Sequence, residues 1–248
     1  NNTKAANLEV LAGMSVTLRL PEVWLAGVAG FGVYLAYTSM PYFLTYLQDL
    51  HALPVLAISI FGIVSTSGGR IGVALPSGFI ADRFLGGASG GLKVGLFGVA
   101  GLAAITVLLT LNNGSAWLAM LLMMLLSVLF FFMRALYFAP FGEMGLPPRF
   151  SGSVIAVAAF LIYLPSSFAY LLWGFILDSL PGATGYALMF AILGVFALVG
   201  GWVAQRLHTR INNGAAARIS KSIQAMDAQL GLGGEEKTLS DLVNAKGR

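Results

Sequence analysis

Two arginines lie inside long apolar stretches of this sequence, and they are the side chains best suited to bind a charged ligand. Arg70 lies within residues 55–80, and Arg134 lies within residues 116–138. Arg70 is about ten residues, or some 15 Å, from the nearer charged end of its stretch. Insertion of a central arginine into a bilayer costs at least about 2.5 kcal/mol, so the side chain needs a cavity or a partner. Arg70 is therefore predicted to bind an anionic group of a solute, with a structural ion pair as the alternative.

Hydroxyl-bearing side chains could surround such a solute. They partly share a face of the first apolar stretch, and one more lies in the fifth stretch. Aromatic rings with hydroxyl tips suit a polar organic molecule, and packing between helices is the alternative. Tyr42 and Tyr46 approach the membrane boundary, where an interfacial aromatic belt is the better interpretation. The residues predicted to bind the solute, besides Arg70, are Tyr34, Tyr37, Thr38 and Tyr163.

The sequence offers little for metal binding or acid–base catalysis. It contains no cysteine and two histidines, so disulfides, thiolate ligands and histidine clusters are excluded. No carboxylate lies at the middle of an apolar stretch. We therefore expect no metal, no cofactor and no enzymatic activity. A membrane enzyme acting on lipid-linked substrates, which is one alternative, would need clustered His, Asp or Glu at one membrane face.

Six apolar stretches position these side chains, and each is long enough to cross a bilayer, which takes about 20 helical residues. We number them spans 1 to 6, and they cover residues 22–47, 55–80, 93–111, 116–138, 152–177 and 183–205. The chain is 58% hydrophobic and 10% charged, whereas soluble proteins average about 25% charged. Because lipid offers backbone groups no hydrogen-bond partner, these stretches should be α-helices. The sequence predicts an all-α membrane protein.

Positive charge lies on one side of this alternation. The connections between spans 1 and 2, 3 and 4, and 5 and 6 contain no lysine or arginine. The other two connections, the chain ends and the first residue of span 3, Lys93, hold every basic residue except Arg70 and Arg134. Positive charge is retained on the cytoplasmic side, so both termini are predicted to be cytoplasmic, in a plasma (inner) membrane. This placement explains the net charge of +4 without nucleic acid. The predicted division is a cytoplasmic lead-in (1–20), a six-helix bundle (21–205) and a cytoplasmic tail (206–248).

The spans form two triplets with similar chemistry. Residues 94–111 and 187–204 carry no charge, so spans 3 and 6 are predicted to face lipid while the other four surround a polar cavity. Many secondary transporters consist of 3+3 helices related by inverted topology, and this pattern is typical of them. Prolines, which kink helices, lie within or at the ends of spans 1, 2, 4 and 5. They are Pro41, Pro76, Pro140 and Pro165.

The connection between spans 2 and 3 carries a recognisable motif. It begins Gly78-Phe79-Ile80-Ala81-Asp82-Arg83-Phe84 and continues through a glycine-rich stretch to Lys93. This resembles the signature loop of the major facilitator superfamily, G-x-x-x-D-R-x-G-R-K, which joins the second and third helices of a six-helix half on the cytoplasmic side. The trailing Gly-Arg-Lys is absent, and the copy in the second half of such transporters is the more degenerate one. A second stretch, Gly174-Phe175-Ile176-Leu177-Asp178, resembles the element that flanks the last loop in many members.

The resemblance covers about residues 15–207 and implies the C-terminal six helices of a twelve-helix transporter. The partner would be an N-terminal six-helix bundle, and the lipid bilayer would surround both. The resemblance also implies a charged latch on the cytoplasmic side, with Asp82 or Glu143 within salt-bridge reach of Arg83 or Arg134, and with Gly78 allowing close helix approach.

The expected function is alternating-access transport of a small polar organic solute, which can be anionic. A non-transporting receptor or scaffold of the same fold is a further alternative.

Overall fold

The computed structural model describes residues 18–230, with side chains at all of these positions except 148–149 and 225–230. The predicted lead-in lies almost entirely outside these residues, as does the end of the predicted tail. Within them the chain is helical and contains no strand. The α-helices are Pro21–Thr38, Tyr42–His51, Val55–Ile63, Ala74–Phe84, Ala88–Leu111, Ala116–Leu136, Pro140–Glu143, Pro148–Tyr163, Ala169–Ser179, Ala183–Asn212 and Ala215–Leu230. A π-helix covers Val64–Val73, and a 3-10 helix covers Leu164–Ser167.

The helices make five or six membrane spans. Spans 2 to 6 are Val55–Phe84, Ala88–Leu111, Ala116–Leu136, Phe150–Ser179 and Ala183–Asn212. Span 1 is the pair Pro21–Thr38 and Tyr42–His51, which bends by 44° at its break. The prediction of an all-α membrane protein is therefore confirmed. Span 6 continues beyond Arg206 to Asn212, and the helix Ala215–Leu230 follows it, with Ile219 and Ile223 buried.

Spans 1, 2 and 5 are interrupted near their middle or outer thirds. Span 1 breaks just before Pro41, where the Thr38 and Ser39 hydroxyls donate to carbonyls of the preceding turn. Span 5 passes through a 3-10 turn that contains Pro165, as expected for a residue that cannot donate to the helix. Span 2 instead widens into ten residues of π-helix, Val64–Val73. π-Helical segments inside α-helices occur frequently at functional sites.

The centre of the bundle is a seam of small residues between spans 1, 3 and 6. A Cβ added at Gly32 would lie 3.6 Å from the Cα of Gly200 and 3.5 Å from Leu96. A Cβ added at Gly194 would lie 3.3 Å from the Cβ of Ala103. Small residues let helix backbones approach closely, which is how membrane helices gain packing energy in a solvent as apolar as themselves.

Spans 2 and 5 are more exposed than spans 3 and 6, which are the two spans predicted to face lipid. The buried share of their most apolar windows is 22% and 28%, against 33% for span 3 and 44% for span 6. The reason is the small-residue seam, which buries one side of spans 3 and 6 against each other. Spans 2 and 5 keep their contacts on one side only, where Gly69 of span 2 meets Phe131 of span 4 and Gly30 of span 1 meets Ile162 of span 5.

The ends of spans 2 and 5 repeat each other in sequence and in structure. Gly78-Phe79-Ile80-Ala81-Asp82 and Gly174-Phe175-Ile176-Leu177-Asp178 differ at one position. Gly87-Ala88-Ser89-Gly90 and Gly182-Ala183-Thr184-Gly185 differ by one methyl group. Gly87 and Gly182 both precede the next span with positive φ, at 101° and 76°. The two triplets therefore share residues as well as chemistry.

Candidate functional site

A cluster of tyrosines around Arg134 joins spans 1, 4 and 5. The guanidinium carbon of Arg134 lies 4.1 Å from the centre of the Tyr37 ring. Tyr34 packs edge-on against Tyr163 with ring centres 4.9 Å apart, and it lies 6.0 Å from Tyr37. The hydroxyl groups of Tyr137 and Tyr163 are hydrogen-bonded at 3.0 Å. We call these five residues the tyrosine cluster.

The tyrosine cluster lies near mid-depth of the bundle. Spans 1 and 5 both begin at the end that holds the basic residues, which we call the basic end. At 1.5 Å per residue, Tyr37 lies roughly 24 Å along span 1 from Pro21, and Tyr163 lies roughly 20 Å along span 5 from Phe150. Both spans are about 45 Å long on the same measure. Arg134, which contacts the Tyr37 ring, therefore lies near mid-depth and not at the membrane face where the predicted latch would place it.

A cavity of about 400 Å³ adjoins this cluster, and Tyr37 forms part of its wall. Ligand pockets for small molecules generally measure 300–1,000 Å³, so the cavity suits a small solute. The π-helix of span 2 supplies hydroxyl groups to it, and Tyr170 contributes from span 5. The lining residues are Tyr37, Met40, Pro41, Leu44, Phe61, Gly62, Ser65, Thr66 and Tyr170.

The structure brings together three of the predicted solute-binding residues, Tyr34, Tyr37 and Tyr163. The side chains of Tyr34 and Tyr37 are half-buried, and that of Tyr163 is exposed. Tyr137 completes the cluster and was absent from the predicted set. Its spacing of three residues from Arg134 on one helix was the signal that could have identified it.

Thr38 does not line the cavity, and its prediction as a binding residue is wrong. It is fully buried, its hydroxyl donates to Leu35 at 2.6 Å, and it accepts a hydrogen bond from Trp173 at 3.2 Å. Both capacities of the hydroxyl are thus used in packing span 1 against span 5.

Arg70 lies apart from the tyrosine cluster. It is exposed on the π-helix of span 2, and it forms no ion pair or hydrogen bond with any side chain that the structure describes. Its position is on the open face of span 2 and not inside the bundle.

The residues predicted to form the charged latch are arranged differently. Arg134 lies in the tyrosine cluster, and Asp82 and Arg83 are exposed without ion pairs inside the described part of the chain. A Cβ added at Gly78 would meet nothing within 4 Å, so Gly78 makes no close helix contact there. The predicted ion-pair latch is therefore wrong in this conformation, because Glu143 has a different partner.

Glu143 caps the first turn of span 3. Its carboxylate accepts hydrogen bonds from the backbone N–H groups of Ala88 and Ser89. The Ser89 hydroxyl lies 3.0 Å from Nδ1 of His208, which in turn lies 3.1 Å from Asn212 through Nε2. A carboxylate at a helix N-terminus is favoured by unpaired N–H groups and by the helix dipole. This network ties the end of span 4 to spans 3 and 6 at the basic end.

A similar arrangement closes the opposite end. The Tyr186 hydroxyl in the first turn of span 6 donates to the Asp49 carboxylate at 2.7 Å. Tyr46 is fully buried beside it, with its hydroxyl 2.9 Å from Thr110 of span 3. The interpretation of Tyr46 as an interfacial belt residue is therefore wrong, because it packs inside the bundle.

An ion pair also joins the two terminal spans at the basic end. Arg210 of span 6 lies 3.2 Å from Glu22 of span 1, whose side chain is almost fully buried.

Together the fold and these polar networks define a multi-pass membrane protein with a helical bundle. Its sequence is similar to two inner membrane proteins of Escherichia coli K12. It is 31% identical over 206 residues to YihN and 30% identical over 207 residues to YqcE. The matches cover 80% of this chain but 47% and 48% of the two relatives, so the chain spans about half the length of the curated relatives it matches. No family model and no solved structure matches the chain.

Proposed function

We propose that the chain is the C-terminal six-helix half of a secondary transporter of the major facilitator type. It moves a small polar organic solute across the inner membrane by alternating access. The observation that carries the proposal is the repetition, in sequence and in backbone geometry, of one loop-and-helix unit after spans 2 and 5.

The span contacts support an arrangement of 3+3 helices with inverted topology. Span 1 packs against span 5, and the equivalent pair in the other triplet, spans 4 and 2, also packs together. Likewise span 6 packs against span 1, and span 3 packs against span 4. Spans 3 and 6 pack on each other. If span 1 is exchanged with span 4, span 2 with span 5 and span 3 with span 6, the same set of packed helix pairs results. Because spans 1 and 4 cross in opposite directions, the two units are inverted relative to each other, as in many carriers with a substrate site at mid-depth.

The open faces of spans 2 and 5 are where we place the partner bundle. The curated relatives have about twice the length that the chain covers, which is room for a second bundle of this size. Both spans leave glycines without contacts on these faces, among them Gly72 and Gly174. Small residues are typical of close helix interfaces in membranes. The solute would then lie between the two bundles, with the cavity beside Tyr37 as this half's share.

We assign the basic end to the cytoplasm, since positive charge is retained on that side. The chain has no cysteine, so one introduced cysteine reports its own location once any cysteine elsewhere in the full protein is replaced. A cysteine at Asn113 should react with a membrane-impermeant maleimide in intact cells, and a cysteine at Arg218 should react only after the membrane is opened. The reverse pattern would refute the assignment.

The polar networks at the two ends are candidates for the alternating closures. Glu143 holds the start of span 3 at the basic end, and Asp49 holds the start of span 6 at the opposite end. Arg70, on the open face, can reach either the solute or the partner bundle.

Transport itself can be tested with the protein expressed from its native gene. Proteoliposomes loaded with unlabelled solute are expected to accumulate the same labelled solute by counterflow, in a panel of sugars, sugar acids and organic phosphates. Arg70→Ala and Arg70→Lys separate the two roles of Arg70, because near-normal solute affinity in both removes the binding role. If no panel member exceeds the signal of protein-free vesicles, the transporter proposal fails.

A further inference from the structure

Arg134 is the one charged side chain of the tyrosine cluster, and it has no countercharge. Among the side chains that the structure describes, no carboxylate lies within ion-pair distance of it, and its N–H groups make no hydrogen bond. Its contact is with the Tyr37 ring, and it is half-buried near mid-depth. An arginine at that depth is costly and generally faces a partner or a wet cavity.

The Tyr37 ring stabilises the cation without using its donors. A guanidinium over an aromatic face gains cation–π energy and keeps its N–H groups for a further partner. Those donors match the two oxygens of a planar oxyanion. Tyr34, Tyr163 and the cavity wall supply hydroxyl groups beside it, which suits a solute that also carries hydroxyls.

We propose that Arg134 binds the oxyanion group of a hydroxylated organic monoanion, whose body lies in the cavity beside Tyr37. The proposal rests on the transporter function above and names the solute class for that site. A single positive charge balances a single negative charge. A dianion such as a phosphate monoester would keep an uncompensated charge in a low-dielectric site, which is expensive.

Arg134 is better placed for this role than Arg70. Tyr37 contacts Arg134 and also lines the cavity, whereas Arg70 is not among the lining residues and forms no hydrogen bond or ion pair with a described side chain.

The test compares three sugars of one shape that differ in charge. Binding of D-glucuronate, D-glucose and D-glucose 6-phosphate is measured by calorimetry on the full protein in nanodiscs. Glucuronate should bind at least about tenfold more tightly than the other two. Arg134→Gln should weaken glucuronate binding by about 10- to 100-fold, the range expected for hydrogen bonds to a charged group, and leave glucose unchanged.

Conservative variants separate binding from folding. Arg134→Lys keeps the charge and should keep the preference for glucuronate with a smaller loss of affinity, since a point charge replaces the planar donor pair. Arg206→Gln is the matched control: Arg206 lies 3.6 Å over Trp202, far along span 6 and exposed, and its loss should not change binding.

Three results would overturn the anion site: equal affinity for glucose and glucuronate, unchanged glucuronate affinity in Arg134→Gln, or failure of all three sugars to bind. Counterflow keeps the two proposals apart. If a neutral solute is transported equally well by the unchanged protein and by Arg134→Gln, the anion-site proposal is refuted and the transporter proposal stands. If glucuronate binding depends on Arg134 but no solute shows counterflow, the anion-site proposal is supported and the transporter proposal is refuted.

Discussion

Gly90, in the first turn of span 3, has almost no room for a side chain. A Cβ at this position would lie 2.9 Å from the carbonyl carbon of Leu85 and closer still to its oxygen, whereas real Cβ atoms essentially never come within 3.0 Å. The obstacle is backbone, so a rotamer change cannot relieve it. Gly185 at the start of span 6 meets the carbonyl of Leu180 in the same way, with its carbon at 3.1 Å and its oxygen nearer.

We therefore expect Gly90→Ala and Gly185→Ala to destabilise the protein by similar amounts. Forcing an extra carbon into a packed site costs about 1–3 kcal/mol. At roughly 2–4 °C per kcal/mol for a chain of this size, the melting temperature should fall by several degrees. The matched control is Gly101→Ala, farther along span 3, where a Cβ would meet nothing within 4 Å. That change should be neutral or stabilise by up to about 1 kcal/mol, since alanine is the better helix former.

The assay is thermal unfolding of the purified variants in one detergent, followed by intrinsic fluorescence. If Gly90→Ala and Gly101→Ala have the same melting temperature, the close approach of the Leu85 carbonyl to Gly90 is refuted. If Gly90→Ala and Gly185→Ala differ by more than the control shift, the structural equivalence of the two loops fails, and the support for an inverted repeat weakens with it.

Two further substitutions test contacts that hold the spans together. Trp173→Phe should cost about 1 kcal/mol, because it removes the buried hydrogen bond to Thr38, and Thr38→Val should add little on top of it in a double-mutant cycle of melting temperatures. Additive losses would mean that the bond contributes nothing. Glu143→Gln should destabilise by about 0.5–2 kcal/mol through the weakened cap on span 3, while Asp82→Asn, at an exposed residue, should stay within about 0.5 kcal/mol. Equal melting temperatures for these two variants would contradict the capping role.

Much of the fold could be predicted because it depends on local properties of the chain. A stretch of about 20 apolar residues must be a helix wherever it lies in a bilayer, so six spans could be read directly from the sequence. The breaks at Pro41 and Pro165 follow from a missing N–H group, which is equally local. The π-helix of span 2 contains no proline and carried no such signal, and it contacts span 4.

The site was harder to predict because it depends on the rotation and register of neighbouring spans. Tyr37 and Thr38 are adjacent in sequence but point about 100° apart on the helix, so one faces the cavity while the other meets Trp173. Residue type alone does not distinguish these directions. The sequence placed Glu143 at the end of a span. Whether its carboxylate binds backbone N–H groups or an arginine depends on where the first turn of span 3 lies in space.

What the sequence determined by itself was the class of protein, the number of its spans and the side on which its positive charge lies. Hydropathy and charge are sums along the chain and need no tertiary contact. Only the tertiary structure decided which arginine is brought to the tyrosines, because that depends on the offset between spans 1 and 4. The sequence places Arg134 near the end of span 4, whereas its contact with the Tyr37 ring places its guanidinium near mid-depth.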